Sequence, residues 1–257
     1  MHHPSMFDLG GRVALVTGAS RGIGQSIAEA LACAGADVAV TARSEASLQE
    51  TRSRLEMAGS RALALSHDVG TVAGCRSAVE AAVVHFGRLD ILVNNAGVEE
   101  VRPSLEVDEP LWDHIVDVNL KGAFFCAQAA AEHMKRAGRP GAIINICSLT
   151  SEVGVPGAVP YGSSKSGLLG MTRALATEWA PIGIRVNAIA PGYFRTSMTE
   201  VFYRDEAWQQ AMLGKIPQAR FGEMADLQGA AVFLASGASA YITGQCIAVD
   251  GGFLASI

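Results

Sequence analysis

Tyr161 and Lys165 lie four residues apart in Tyr161-Gly162-Ser163-Ser164-Lys165, and Ser148 precedes the tyrosine by thirteen. On a helix, positions i and i+4 share one face, which sets the lysine ammonium beside the phenol. A free phenol titrates near pH 10, too high for useful base catalysis on an alcohol at neutral pH. A cation about 4 Å away contributes roughly 4 kcal/mol at an effective dielectric of about 20, which predicts a phenol drawn toward neutrality. Such a group moves a proton to or from an alcohol oxygen, the step that accompanies hydride transfer. Taken alone, the pair equally fits the solvated face of an ordinary helix.

A second cluster stands near the N-terminus. Thr17-Gly18-Ala19-Ser20-Arg21-Gly22-Ile23-Gly24 follows the first apolar run and opens an alanine-rich stretch. Glycine there permits a tight turn, close approach of backbone to a pyrophosphate and close helix packing. The spacing is Gly-x-x-x-Gly-x-Gly, not Gly-x-Gly-x-x-Gly, and a plain turn is the competing reading.

These residues need elements to hold them. Short β-branched or apolar runs at Val13–Val16, Val38–Thr41, Ala62–Leu65, Ile91–Val93, Ala142–Ile146, Val186–Ile189 and Ile247–Val249 read as seven strands. Helical patterns over 22–34, 45–58, 71–86, 108–137, 161–180 and 225–236, with a weaker one over 199–214, separate them. Strand and helix in alternation predict an α/β fold, a doubly wound Rossmann-like domain with a seven-stranded parallel sheet flanked by helices. In such sheets ligands bind beyond the carboxyl ends of the strands. Thr17, Arg43, Asp68, Asn94, Ser148 and Pro191 each follow a predicted strand and would line that edge.

Composition narrows the class. The chain has 257 residues, 49% of them hydrophobic, with no linker, repeat or charge block, which predicts a single domain over 1–257. Within it a dinucleotide-binding part spans about 8–150 and a catalytic and substrate part about 140–257. A net charge of −5 gives no electrostatic footprint for nucleic acid or an anionic membrane. No apolar run reaches membrane-spanning length, and Met1-His2-His3-Pro4-Ser5 lacks the features of a secretory signal, so a cytoplasmic location is expected. Five scattered cysteines, Cys33, Cys75, Cys126, Cys147 and Cys246, indicate neither a disulfide framework nor a zinc site, and no metal is expected.

With Asn94-Asn95-Ala96-Gly97, Asn119 and Pro191-Gly192, the two clusters resemble the short-chain dehydrogenase/reductase family, in family order and over nearly the whole chain. The resemblance implies a catalytic set of Asn119, Ser148, Tyr161 and Lys165. Ser148 would hydrogen-bond the substrate oxygen, Tyr161 exchange the proton, Lys165 tune the phenol and bind the nicotinamide ribose, and Asn119 hold a water linking Lys165 to solvent. It further implies that Gly18, Ser20, Gly22, Ile23 and Gly24 surround a pyrophosphate. Asp68 would bond the adenine amine; Asp68 also reads as a helix cap. Val69, Asn95, Ala96, Gly97, Tyr161, Lys165, Pro191, Gly192 and Thr196 would complete the cofactor pocket.

Family members that prefer NAD carry an acidic residue at the end of the second strand, where this chain has Ala42 followed by Arg43. Arg43, with Arg21, suits a 2′-phosphate through charge-assisted bonds, so NADP(H) is the expected cofactor, with NAD possible. The substrate is a small carbonyl or alcohol compound. Ile144–Ser148, Ser151-Glu152 and Pro191–Phe194 look like the gluconate 5-dehydrogenase branch, the Ile247–Gly252 ending is similar to sugar-acid dehydrogenases more broadly, and Arg102, Glu152 and Arg195 are candidates for recognising a sugar acid. Glu99 and Glu100 depart from that branch, which commonly has basic residues there. A 3-oxoacyl-carrier-protein reductase is the alternative reading and a non-catalytic dinucleotide sensor a remote one. The family commonly forms homotetramers, here through the helices over 108–137 and 161–180.

Overall fold

The computed structural model describes residues 6–197, 199–200 and 202–256; the leader reading of Met1–Ser5 and part of the predicted 199–214 segment lie outside them. Seven parallel strands form one sheet: β1 (Val13–Thr17), β2 (Asp37–Ala42), β3 (Ala62–Ser66), β4 (Ile91–Asn94), β5 (Gly141–Ile146), β6 (Ile184–Pro191) and β7 (Cys246–Val249). Their spatial order is β3-β2-β1-β4-β5-β6-β7. The winding reverses between β1 and β4, where Ala14 faces Ile91 and Val16 faces Val93 in register. All seven predicted strands are present, each reaching one to four residues beyond the predicted bounds in total.

Every residue of β1, β4 and β5 is buried, the mark of strands covered on both faces. Side chains alternate between two cores, as the two-residue period demands. Ala14, Val16, Ile91, Val93 and Ile144 pack beneath α1 (Gly22–Cys33) and α8 (Met224–Ala235). Val13, Leu15, Leu92 and Ile143 pack beneath α3 (Val72–Phe86), α5 (Gly122–Arg136) and α6 (Val159–Trp179). The remaining helices are α2 (Gln49–Met57), α4 (Glu109–Val116) and α7 (Glu206–Leu213), the last of these the helical part of the weaker predicted segment.

The predicted single helix over 108–137 is interrupted. Asp108 caps α4 by accepting from Leu111 N at 3.0 Å, and α5 ends at Arg136, but residues Asp117–Lys121 between them form a π turn. Two contacts fix it. The backbone at Gly122 runs so close to the Val69 carbonyl that a Cβ would clash, and the Asn119 side chain is bound to the Val98 backbone from both sides. A π turn carries one residue more than an α turn and often sits at a functional position.

Candidate active site

A cavity of about 850 Å³ opens at the carboxyl edge of the sheet. Thr17 ends β1 and sets its floor: the Thr17 hydroxyl donates to Val93 O at 3.3 Å and accepts from the backbone N–H groups of Asn95 and Ala96, both at 3.1 Å. Asn95 returns its amide to the carbonyls of Thr17 and Gly18, each at 2.9 Å. The glycine turn is thereby stitched to the loop after β4. Gly18 and Gly22 have φ of 65° and 60°, and a Cβ on Gly18 would lie 2.7 Å from Ala96 Cα. Only glycine suits that approach.

Helix α1 starts at this turn, and no side chain caps its N-terminus at Arg21. Its unpaired backbone N–H groups make the start of the helix an anion site. Arg21 and Arg43 line the same cavity, and among the described residues neither forms a salt bridge. Ser20, Gly22, Ile23, Gly24, Asp68, Val69, Ala96, Gly97, Pro191, Gly192 and Thr196 line it as well. Asp68 turns one carboxylate oxygen onto Gly70 N at 2.9 Å, while the cap of α3 is Thr71. Thr196 is held by Thr199, whose hydroxyl accepts from Thr196 N at 2.9 Å; sequence reading did not single out Thr199, whose role depends on that local turn.

Ser148, Tyr161 and Lys165 line the other half of the cavity, whereas Asn119 stands behind its wall. A Cβ on Gly97 would lie 3.4 Å from Asn119 Oδ1 and 3.6 Å from Lys165 Nζ, so the glycine leaves both side chains room. Asn119 donates to Val98 O at 2.9 Å and Ser164 Oγ at 3.1 Å, and accepts from Val98 N at 2.8 Å. Both its N–H donors are used, and its carbonyl keeps a second lone pair. The buried Lys165 ammonium donates to Ile146 O at 2.7 Å and lies 5.6 Å from the centre of the Tyr161 ring.

The electrostatics differ from the expected neutral-pH phenol. Burial pushes the Tyr161 phenol well above its ordinary range, the Glu99 carboxylate adds to the rise, and Ser148 opposes it. Burial also lowers Lys165, so its charge is itself disfavoured where it stands. Glu99 is raised by burial and held down by Lys165. Spacing alone gave the neighbours of Tyr161 but neither the depth of the site nor the placing of Glu99 in its lining.

Arg102, Glu152 and Arg195 stand outside the cavity lining. Arg102 is engaged by Glu100 and Asp108, Arg195 forms a bidentate pair with Glu200 at 2.7 and 2.8 Å, and Glu152 is exposed at the end of a 3-10 turn. In their place the cavity presents Glu99, His114, Thr150, Val155, Tyr193, Tyr203 and Trp208. Tyr203 and Tyr193 meet Trp208 edge-on at 5.3 and 5.7 Å. Among the described residues the Tyr203 and Thr150 hydroxyls are buried and find no hydrogen-bond partner, and burial pushes the Tyr203 phenol up to about 12. The sequence signal for this wall was the aromatic-rich stretch after Pro191, which carries no motif spacing.

A family model described as Enoyl-(Acyl carrier protein) reductase matches residues 18–254. The chain is 41% identical over 257 residues to a gluconate 5-dehydrogenase of Gluconobacter oxydans (strain 621H), covering 100% of both. A 3-oxoacyl-[acyl-carrier-protein] reductase of Staphylococcus aureus (strain Mu50 / ATCC 700699) is 43% identical over 240 residues, 93% of this chain and 96% of the relative. Among solved structures, one from Sinorhizobium meliloti 1021, assigned to the short-chain alcohol dehydrogenases, superposes with a TM-score of 0.96 at 68% identity, covering 98% of this chain and 100% of the other. A gluconate 5-dehydrogenase of Burkholderia cenocepacia J2315, in complex with NADP and tartrate, superposes with a TM-score of 0.95 at 38% identity over 100% of both chains.

Proposed function

Because the chain belongs to the short-chain dehydrogenase/reductase family, we propose that it is an NADP(H)-preferring oxidoreductase interconverting a secondary alcohol and a ketone on a sugar acid, with gluconate and 5-ketogluconate the leading pair. It is an oxidoreductase acting on CH–OH groups. The substrate class is supported by the 41% identity to a gluconate 5-dehydrogenase over the whole chain and by the polar side chains of Glu99, His114 and Ser148 that line the cavity with Tyr161. Reduction of a 3-oxoacyl carrier substrate is the second reading, favoured by the Staphylococcus aureus relative.

The residues present suit a dinucleotide bearing a 2′-phosphate. The uncapped start of α1 and the turn from Gly18 to Gly24 would take the pyrophosphate, and Arg21 and Arg43 the 2′-phosphate. Asp68 and Val69 would border the adenine, and Asn95, Ala96, Gly97, Pro191, Gly192 and Thr196 the ribose and nicotinamide. When bound, the nicotinamide supplies or accepts the hydride. Ser148 would hydrogen-bond the substrate oxygen and stabilise negative charge growing there. Tyr161, held protonated by its surroundings, would donate its proton to that oxygen in reduction and recover it in oxidation. Lys165, with one donor on Ile146 O, has two left for a ribose hydroxyl. The free lone pair of Asn119 would hold a water linking Lys165 to solvent. Position then supplies much of the rate.

The reading extends to a homotetramer in the cytoplasm. Gly170 on α6 has open space where a Cβ would point, which supports close approach of another copy, and five free thiols suit a reducing compartment. Among the described residues no helix is long and apolar enough to cross a membrane. The test is NADPH oxidation with 5-ketogluconate against an acetoacetyl thioester at equal concentration, in wild type and Tyr161→Phe. Preference for the keto acid is expected, with kcat in the variant lowered by about 10²–10⁴ and NADPH binding retained. Preference for the thioester would replace the substrate, and an unchanged kcat in the variant would remove Tyr161 from the chemistry.

A further inference from the structure

The two adjacent carboxylates after the Asn94–Gly97 segment part company. Glu100 turns to Arg102 at the surface, while Glu99 lines the cavity and takes no hydrogen bond or salt bridge from any described residue. Glu99 lines the same cavity as Tyr161 and Lys165, and its charge acts on the titration of both. Lys165 is the cation nearest Glu99 and already offsets that carboxylate; the arginines that could offset a substrate carboxylate are elsewhere. Arg21 and Arg43 belong to the glycine-turn half, Arg102 and Arg195 are paired outside the lining, and the Lys165 ammonium is directed at Ile146 O. His114 and Asp117 are the titratable groups that α4 and the π turn add to the lining.

A hydroxyl on the carbon next to the reacting one would donate to Glu99 in a charge-assisted bond. A carboxylate group attached directly to the reacting carbon would instead bring a like charge to Glu99 with no arginine to balance it. We propose that Glu99 sets the regiochemistry of the reaction, accepting the hydrogen bond of a hydroxyl flanking the reacting carbon and turning away substrates whose carboxylate stands there. The enzyme then acts on the end of a sugar acid remote from its acid group. This rests on the sugar-acid reading and adds the residue that selects the position.

The test is kcat/KM for NADPH-dependent reduction of 5-ketogluconate and 2-ketogluconate, and of a neutral pair, 1-hydroxy-2-butanone and 2-butanone, in wild type, Glu99→Gln and Glu99→Leu. Wild type should favour 5-ketogluconate and the hydroxyketone, each by at least about tenfold. In Glu99→Gln the amide oxygen still accepts a hydrogen bond but the charge is gone. The preference for the 5-keto over the 2-keto acid should fall about tenfold there, while the preference for the hydroxyketone persists. Glu99→Leu should lose both preferences. Identical ratios in all three proteins would overturn the proposal, even if every rate fell. No turnover of 5-ketogluconate, with the hydroxyketone preference lost only in Glu99→Leu, would support Glu99 as the hydroxyl acceptor and sink the sugar-acid reading. Failure to reduce any of the four ketones would count against both.

Discussion

Burial and the Glu99 carboxylate act together to keep the proton on Tyr161, and Lys165, turned to the Ile146 carbonyl, does not cancel them. With its pKa raised the phenol keeps its proton at neutral pH, a weaker acid than a free tyrosine but already protonated for reduction, while oxidation, which needs the phenolate, is favoured by higher pH. Removing the negative charge at Glu99 lowers the pKa of Tyr161, because that charge opposes phenolate. In Glu99→Gln the rising limb of NADP-dependent alcohol oxidation is therefore expected at lower pH than in wild type, read from kcat/KM against pH. A limb that stayed put would mean the two groups do not sense each other. Arg43 offers a second test. A charge-assisted bond to a 2′-phosphate is worth about 1.5–3 kcal/mol, so Arg43→Ala should raise KM for NADPH roughly 10- to 100-fold and leave NADH nearly unaffected. Equal losses with the two nucleotides would deny Arg43 that role.

Between the strands and the helices runs a buried polar chain that holds the site's elements in register. Asn94 at the end of β4 donates to Asn145 of β5 at 2.9 Å, Asn145 donates to Thr172 of α6 at 2.9 Å, and Thr172 donates to Leu168 O at 2.8 Å. Thr172→Val keeps the volume and leaves the Asn145 amide one partner short, at about 1–3 kcal/mol. Thermal unfolding should show a lower midpoint with little change in KM. An unchanged midpoint would mean that the chain contributes nothing net. The strands were legible because continuous apolar runs bounded by Gly, Asn or Ser leave few alternatives, and α6 because its helical pattern runs unbroken, although no side chain caps its N-terminus. The break at Asn119 was not, since Leu111, Ile115 and the alanines of α5 continue a helical pattern straight through it. Nor was the fate of Arg102 and Arg195, because pairing with Glu100, Asp108 and Glu200 depends on side-chain direction that spacing does not encode.

At the scale of the whole molecule, seven parallel strands bring their carboxyl ends to one edge, and residues from Gly18 to Trp208 meet in one cavity there. The division near residues 140–150 does not part the sheet, because β5 pairs with β4 on one side and β6 on the other. A tetramer predicts a light-scattering mass about four times 26.8 kDa, and a monomer or dimer mass would refute that assembly. The π turn has a consequence for which lengths of this chain are viable. Its surplus residue is taken up within the wider turn, so removing one residue there closes it to an ordinary α turn with α5 kept in phase, whereas removing one from the start of α5 would rotate the rest of that helix by about 100°. Cys126, Ala130 and Met134 would swing away from Cys75, Val79 and Ala82 of α3, and the second core would open. The Asp117–Lys121 segment is therefore the place where this stretch can lose a residue and keep the frame of α5, whereas a single-codon deletion a few residues later would misalign the helix against half of the interior.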